Sequence, residues 1–178
     1  WVRELGVEVI ELLDTGLDPV SVVAAAPAGL FSGGANPDRQ LIIASEYEQM
    51  TRQWILSRKL QATFVRSYGA TEVFPPEDAD CIVDNTASGS TLKANNLDVV
   101  EELMPSSTRL YASPKAMSDT QKRPVIDRFV LVVRSVLEAR KRVMLEVNVS
   151  GSDLERLLEV MAASGGVGES AGEASPEL

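Results

Sequence analysis

Short apolar runs recurring between turn formers and helical stretches constrain this chain more than any other feature. Residues 41–44, 62–67 and 81–84 are mostly β-branched or apolar, too short for helices, and separated by one helix or one loop. That spacing predicts an α/β fold with a mainly parallel sheet. In such sheets ligands gather at the carboxyl ends of strands, so Asp84 stands where a functional residue is expected. Ser45 followed three residues later by Glu48 predicts a capped helix running to about Lys59, with Met50, Trp54, Ile55 and Leu60 on its buried side.

The flanking segments follow the same logic. Residues 7–12 and 20–26 predict two sequential strands, with Asp14, Thr15, Gly16 and Asp18-Pro19 turning between them, and a breaker cluster follows over 27–37. Val99, Val100 and Leu103, then residues 110–112, predict two further strands around a turn at Met104-Pro105-Ser106. The stripe Ile126, Phe129, Val130, Val133 and Leu137 predicts a long helix opened by Pro124 and ending near Arg142. Arg140, Lys141 and Arg142 complement its negative end and need no site. A strand over 144–149, a helix over 153–161 opened by Ser152 or Asp153, and a disordered Gly/Ser/Ala/Glu tail over 162–178 complete the reading.

Charge and composition then exclude whole classes of chemistry. With 17 Lys and Arg against 26 Asp and Glu, the net charge of −9 and the lack of a basic stripe disfavour nucleic acid as a partner. Phosphate ligands stay admissible, because backbone N–H groups and a divalent cation supply local positive potential. The sequence has no histidine, which removes imidazole bases and the commonest zinc ligand, and its one cysteine, Cys81, sits in an apolar run that predicts a buried thiol. No apolar run approaches the roughly 20 residues of a membrane span, and no basic region precedes an apolar signal core at the amino terminus. A cytoplasmic setting is expected. Trp1 stands at the start instead of Met, in what reads as a helical turn already under way, so the chain is expected to begin mid-domain.

The chemistry concentrates in Asp84-Asn85-Thr86-Ala87-Ser88-Gly89-Ser90-Thr91-Leu92, between an apolar strand and a helix expected to begin near Thr91. Gly89 permits a tight turn and close approach to an anion, successive N–H groups can converge on phosphate oxygens, and Ser88, Ser90 and Thr91 add hydroxyl donors. Asp84 is a candidate for ribose hydroxyls or Mg²⁺. On local features alone, an ordinary strand-to-helix turn with a Ser or Thr cap is the commoner explanation.

A wider pattern favours the functional one. Ile43-Ala44-Ser45-Glu46-Tyr47 with Thr51-Arg52, then Gly69-Ala70-Thr71-Glu72, then Ala79-Asp80-Cys81-Ile82-Val83-Asp84, and finally Ser88-Gly89-Ser90-Thr91-Leu92 leading to Asn95-Asn96, resemble the ATP phosphoribosyltransferases in order and spacing. The resemblance extends to Leu13-Asp14-Thr15-Gly16, to 22–27, and to the long helix and the strand over 144–149. It implies a two-lobe, periplasmic-binding-protein-like architecture, with one lobe largely complete (31–111) and the other partial (1–30 and 112–161). It also implies transfer of phosphoribosyl from phosphoribosyl pyrophosphate to N1 of ATP, the first step of histidine biosynthesis, with Mg²⁺ required. The substrate loop would be Asp84, Thr86, Ala87, Ser88, Gly89, Ser90, Thr91 and Leu92, and the protein would act as a homo-oligomer or with a regulatory subunit.

The opening strand, the basic ATP-contacting segment and the acidic-glycine segment of the family's first lobe have no counterpart here. Residues 74–78 also depart from the family pattern, which leaves two roles open for Glu72: capping its own turn, or contacting substrate or metal. Tyr47, Arg52 and Tyr68 are expected to pack or lie at the surface. Two other function classes stay open: a non-enzymatic or inactive phosphate- or nucleotide-binding fragment of the same fold, and a periplasmic-type solute-binding protein of similar two-lobe shape, against which the lack of a signal segment argues.

Overall fold

The computed structural model describes residues 1–143 and 148–163. In chain order these form α1 (Val2–Leu5), β1 (Ile10–Pro27), β2 (Leu41–Ser45), α2 (Glu48–Arg58), β3 (Ala62–Arg66), β4 (Cys81–Thr86), α3 (Ser90–Ala94), β5 (Leu97–Ala112), α4 (Pro114–Ser118), α5 (Lys122–Arg140) and α6 (Leu154–Ala163). The strands make one sheet in the order β3-β2-β4-β1-β5. β2 runs parallel to β3 and β4, whereas β1 is antiparallel to both β4 and β5. The expected mainly parallel sheet is therefore mixed: apolar periodicity marks a strand but does not encode its direction.

Burial follows from both faces being covered. Residues 22–26 of β1 are all buried, and alternate ones belong to different clusters. Val22, Ala24 and Ala26 pack with Ile43, Met50, Trp54 and Val83 beneath α2, while Val23 and Ala25 pack with Ala44, Ile82, Leu92 and Leu97 on the opposite face. Two covered faces explain why these runs are continuously apolar instead of alternating. Cys81 is fully buried, as its apolar neighbours predict, and burial pushes its thiol up to about 12.

Two corrections concern the long strands. Residues 7–12 and 20–26 do not form two strands: β1 is continuous from Ile10 to Pro27. Likewise β5 runs unbroken from Leu97 to Ala112 through the expected turn at Pro105. Pro105 pairs in regular register with Ser21, whereas the β1 residues that read as turn formers, Asp14 to Pro19, sit in irregularities of the β1–β5 pairing, where register slips between Glu11 and Leu13, Asp14 and Leu17, and Leu17 and Val20. Their polar groups link the two strands. Asp14 Oδ1 accepts from Ser107 Oγ at 2.6 Å, Thr15 Oγ1 donates to the Thr108 carbonyl at 2.6 Å, and Arg109 pairs with Glu11 and Asp14 at 2.9 and 3.0 Å. Pro105 is tolerated because β5 is an edge strand.

A third correction concerns the start of α2. Ser45 does not cap it: its hydroxyl donates to the Val83 carbonyl at 2.6 Å and accepts from the Tyr47 amide at 2.8 Å. The cap comes from far away in sequence. The carboxylate of Glu4, only 4% exposed, accepts from the amides of Gln49 at 2.8 Å and Met50 at 3.1 Å.

In α5, Ile126, Val130, Val133 and Leu137 are half-buried, whereas Phe129, expected on the same stripe, is exposed. The carboxyl-terminal unit beginning at Arg140 contains α6, which extends to Ala163 and so takes in the first two residues expected in the tail. Residues 144–147 of the expected strand and 164–178 of the expected tail lie outside the described residues.

Candidate phosphate-binding cleft

Parallel strands β2 and β4 end side by side, and β4 delivers Asp84 and Thr86 to the rim of a cleft of about 420 Å³. Val20, Glu72 and every residue from Asp84 to Leu92 line it. All eight residues expected in the substrate loop are thus brought together, and Glu72 joins them from a different segment. Asn85, absent from the expected set, lines it too, and only its position inside the loop pointed to it.

The loop is shaped by its own hydroxyls. Gly89 has φ +74°, and a Cβ built there would meet no heavy atom within 4 Å, so its requirement is conformational and its outer face is open. Thr86 Oγ1 accepts from the Gly89 amide at 3.0 Å, and Ser88 Oγ accepts from the Ser90 amide at 3.3 Å while donating to Ser90 Oγ at 2.9 Å. The Thr91 and Leu92 amides find no acceptor among the described residues. Leu92 itself is 4% exposed and packs into the core, which anchors the backbone that presents those amides.

Helix α3 spans only Ser90–Ala94, so a helix macrodipole adds little here, and what the loop offers an anion is its amides and hydroxyls. Among the described residues no arginine or lysine lines the cleft, and its charged residues are Asp84 and Glu72.

Asp84 carries the electrostatic signature of the site. Its carboxyl is held above its ordinary range, first by burial and then by the negative charges of Glu72 and Glu46. The Asn85 amide, donating to Oδ1 at 2.7 Å, and the Thr71 hydroxyl pull the other way. Glu72 lies in a single 3-10 turn, Thr71–Val73, that has no side-chain cap bond, so the capping role is not seen, and the residue lines the cleft. A carboxylate crowded by like charge is a place where a cation relieves repulsion.

No group of three or more acidic or cysteine side chains among the described residues could hold a metal alone. Two carboxylates beside a loop rich in amides and hydroxyls are a donor set that suits Mg²⁺, which keeps several waters and is held by one or two carboxylates together with phosphate oxygens. Asp80, Arg52 and Tyr68 lie outside the cleft lining. Asp80 receives Arg39 at 2.6 Å and the Ile42 amide at 2.7 Å, Arg52 pairs with Glu48, and Tyr68 is exposed. No helix among the described residues is long and apolar enough to cross a membrane.

Comparison with known proteins gives a consistent result. The sequence model of the ATP phosphoribosyltransferase family matches residues 1–135. A relative from Koribacter versatilis, named ATP phosphoribosyltransferase, is 35% identical over 168 residues, covering 92% of this chain and 58% of the relative. Another of the same name, from Chlorobium phaeovibrioides, is 33% identical, covering 92% and 57%. The chain therefore spans rather more than half the length of these curated relatives. Among solved structures, the ATP phosphoribosyl transferase (HisG:HisZ) complex from Thermotoga maritima matches with a TM-score of 0.68 and 25% identity, covering 78% of this chain and 66% of that one. The mixed sheet and this likeness bear out an α/β chain of periplasmic-binding-protein-like architecture.

Proposed function

Because this chain belongs to the ATP phosphoribosyltransferase family, we propose that its cleft is the phosphoribosyl-pyrophosphate side of that active site. The full reaction transfers phosphoribosyl to N1 of ATP and releases pyrophosphate, opening histidine biosynthesis. The observation that supports this most is the convergence of Glu72 and the whole 84–92 segment on one cleft whose charged lining is wholly acidic. Such a lining binds a phosphorylated sugar through amides and hydroxyls, with the excess negative charge offset by a divalent cation.

In this reading the amides of Gly89, Ser90, Thr91 and Leu92 and the hydroxyls of Thr86, Ser88, Ser90 and Thr91 hold the 5-phosphate, and Ala87 lines its approach. Two of these amides are already engaged by Thr86 and Ser88, so the phosphate takes over bonds that now hold the loop in shape. Asp84 faces the ribose hydroxyls or the cation, and Glu72 supports the same cation. Mg²⁺, when bound, neutralises charge on the departing pyrophosphate.

The bond from ribose C1 to the pyrophosphate oxygen breaks as the bond to N1 of ATP forms, and C1 carries cationic character between. The protein's own task is to position the sugar and keep its phosphate fixed while that charge develops. The ATP side, a lobe division at 1–30 and 112–161 against 31–111, a cytoplasmic location, and assembly into a homo-oligomer or with a regulatory subunit belong to the same reading. That the similar Thermotoga structure is a HisG:HisZ complex supports the last of these.

Calorimetric titration of phosphoribosyl pyrophosphate with Mg²⁺ tests it. Wild type binds, and Gly89→Asp, which places a carboxylate on the open face of the loop, loses binding while staying folded. Equal binding by both, or none by folded wild type, refutes the assignment.

A further inference from the structure

Tyr47 reaches the cleft through one intermediary. The residue is 5% exposed, and its ring lies in the core cluster beneath α2 and against Trp1, with centroids 5.0 Å apart. Its backbone is fixed on both sides. The amide donates to Ser45 Oγ at 2.8 Å, the carbonyl accepts from Thr51 Oγ1 at 2.5 Å, and Ser45 is tied in turn to the Val83 carbonyl of β4. From that base the phenolic oxygen accepts a hydrogen bond from Asn85 Nδ2 at 2.9 Å. The same amide nitrogen lies 3.3 Å from Asp84 Oδ1, which also receives the Asn85 backbone N–H. Asn85 is otherwise exposed, and no other hydrogen bond among the described residues orients its side chain.

We propose that Tyr47 is a positioning residue for the cleft: acting through Asn85, its hydroxyl fixes the side chain of Asp84 before a phosphorylated sugar arrives. This rests on the function proposed above and deepens it. Binding immobilises polar side chains at a cost, and a residue that pays that cost in the free protein leaves more of the contact energy for ligand. A core aromatic suits the task, because its own conformation is set by packing and does not respond to solvent at the rim.

Two measurements test it. In the free protein, the NMR order parameter of the Asn85 side-chain amide is expected in the rigid range for wild type and below about 0.6 in Tyr47→Phe. An unchanged value overturns the proposal and needs no ligand. In calorimetry with Mg²⁺ and phosphoribosyl pyrophosphate, Tyr47→Phe is expected to bind about threefold to tenfold more weakly. The double variant with Asn85→Ala should be no weaker than Asn85→Ala alone, and additive losses overturn the coupling.

A packing role alone would lower the melting temperature but leave both readouts unmoved. If Tyr47→Phe does not fold, Asn85→Ala must by itself weaken binding by a similar factor, and unchanged affinity overturns the proposal. Folded wild type that binds no phosphoribosyl pyrophosphate refutes the reading of the cleft, whereas the amide order reports on Tyr47 alone.

Discussion

Replacing Glu4 with alanine removes the cap of a helix whose first turn begins 44 residues later. The Glu4 carboxylate, 4% exposed, holds the amides of Gln49 and Met50 at 2.8 and 3.1 Å, and no side chain at Tyr47, the N-cap position of α2, does so. Gln49 is exposed, so water can replace its bond at little cost, but Met50 is 8% exposed and its amide would be left buried. Losing a cap costs about 0.5–2 kcal/mol, and an unsatisfied buried donor costs about 1–3 kcal/mol. Allowing for overlap between the two terms, Glu4→Ala should cost about 2–3 kcal/mol, and Glu4→Gln, which keeps one acceptor oxygen, about half of that. Urea unfolding followed by circular dichroism should show the midpoint falling with an unchanged slope, and melting should drop by about 5–10 °C. A loss below about 0.5 kcal/mol in the alanine variant would refute the capping account.

Two further predictions follow from charge. Asp84 has a folded pKa raised above its unfolded value, so the folded state binds that proton more tightly, and stability falls as pH rises from the unfolded value towards the folded one. Asp84→Asn should therefore melt higher than wild type at neutral pH, with the gain vanishing below about pH 3.9, while binding of phosphoribosyl pyrophosphate weakens; thermal melts across pH check this. Asp80 is the opposite case, held below its ordinary range first by Arg39 and also by the Ile42 amide. Its contribution is present above the unfolded pKa and is lost as pH falls through the lower folded one. Asp80→Asn should cost about 1 kcal/mol in urea unfolding at neutral pH and progressively less below about pH 3.9.

Local patterns were legible in the sequence where a segment's fate is decided by its neighbours. The apolar runs that became β2, β3 and β4, the amphipathic α2 and the strand-to-helix loop at Gly89 all carry their signal within a few residues. What could not be read was decided across the fold. Asp14, Gly16, Asp18 and Pro105 are turn formers by composition, but pairing between β1 and β5 holds the first three in irregular strand and Pro105 in regular strand, and only the partner strand supplies that information. Ser45 and Glu48 have capping-box spacing, yet Ser45 is fully buried at a strand end and bonded to β4, and the cap is Glu4. The candidate cleft was legible through its loop. The bond between Asn85 and Tyr47 was not, because a contact spanning 38 residues leaves no local pattern.

The central claim is that the amides from Gly89 to Leu92 take the 5-phosphate. It is tested most directly by proton–nitrogen NMR of the backbone amides during titration with phosphoribosyl pyrophosphate and Mg²⁺. The account predicts that Gly89, Ser90, Thr91 and Leu92 show the largest downfield shifts, saturating together, and that Gly89→Asp abolishes them. Shifts centred instead on a separate surface cleft lined by Gly29, Gly34 and Arg58, or no shifts in folded protein, would contradict it.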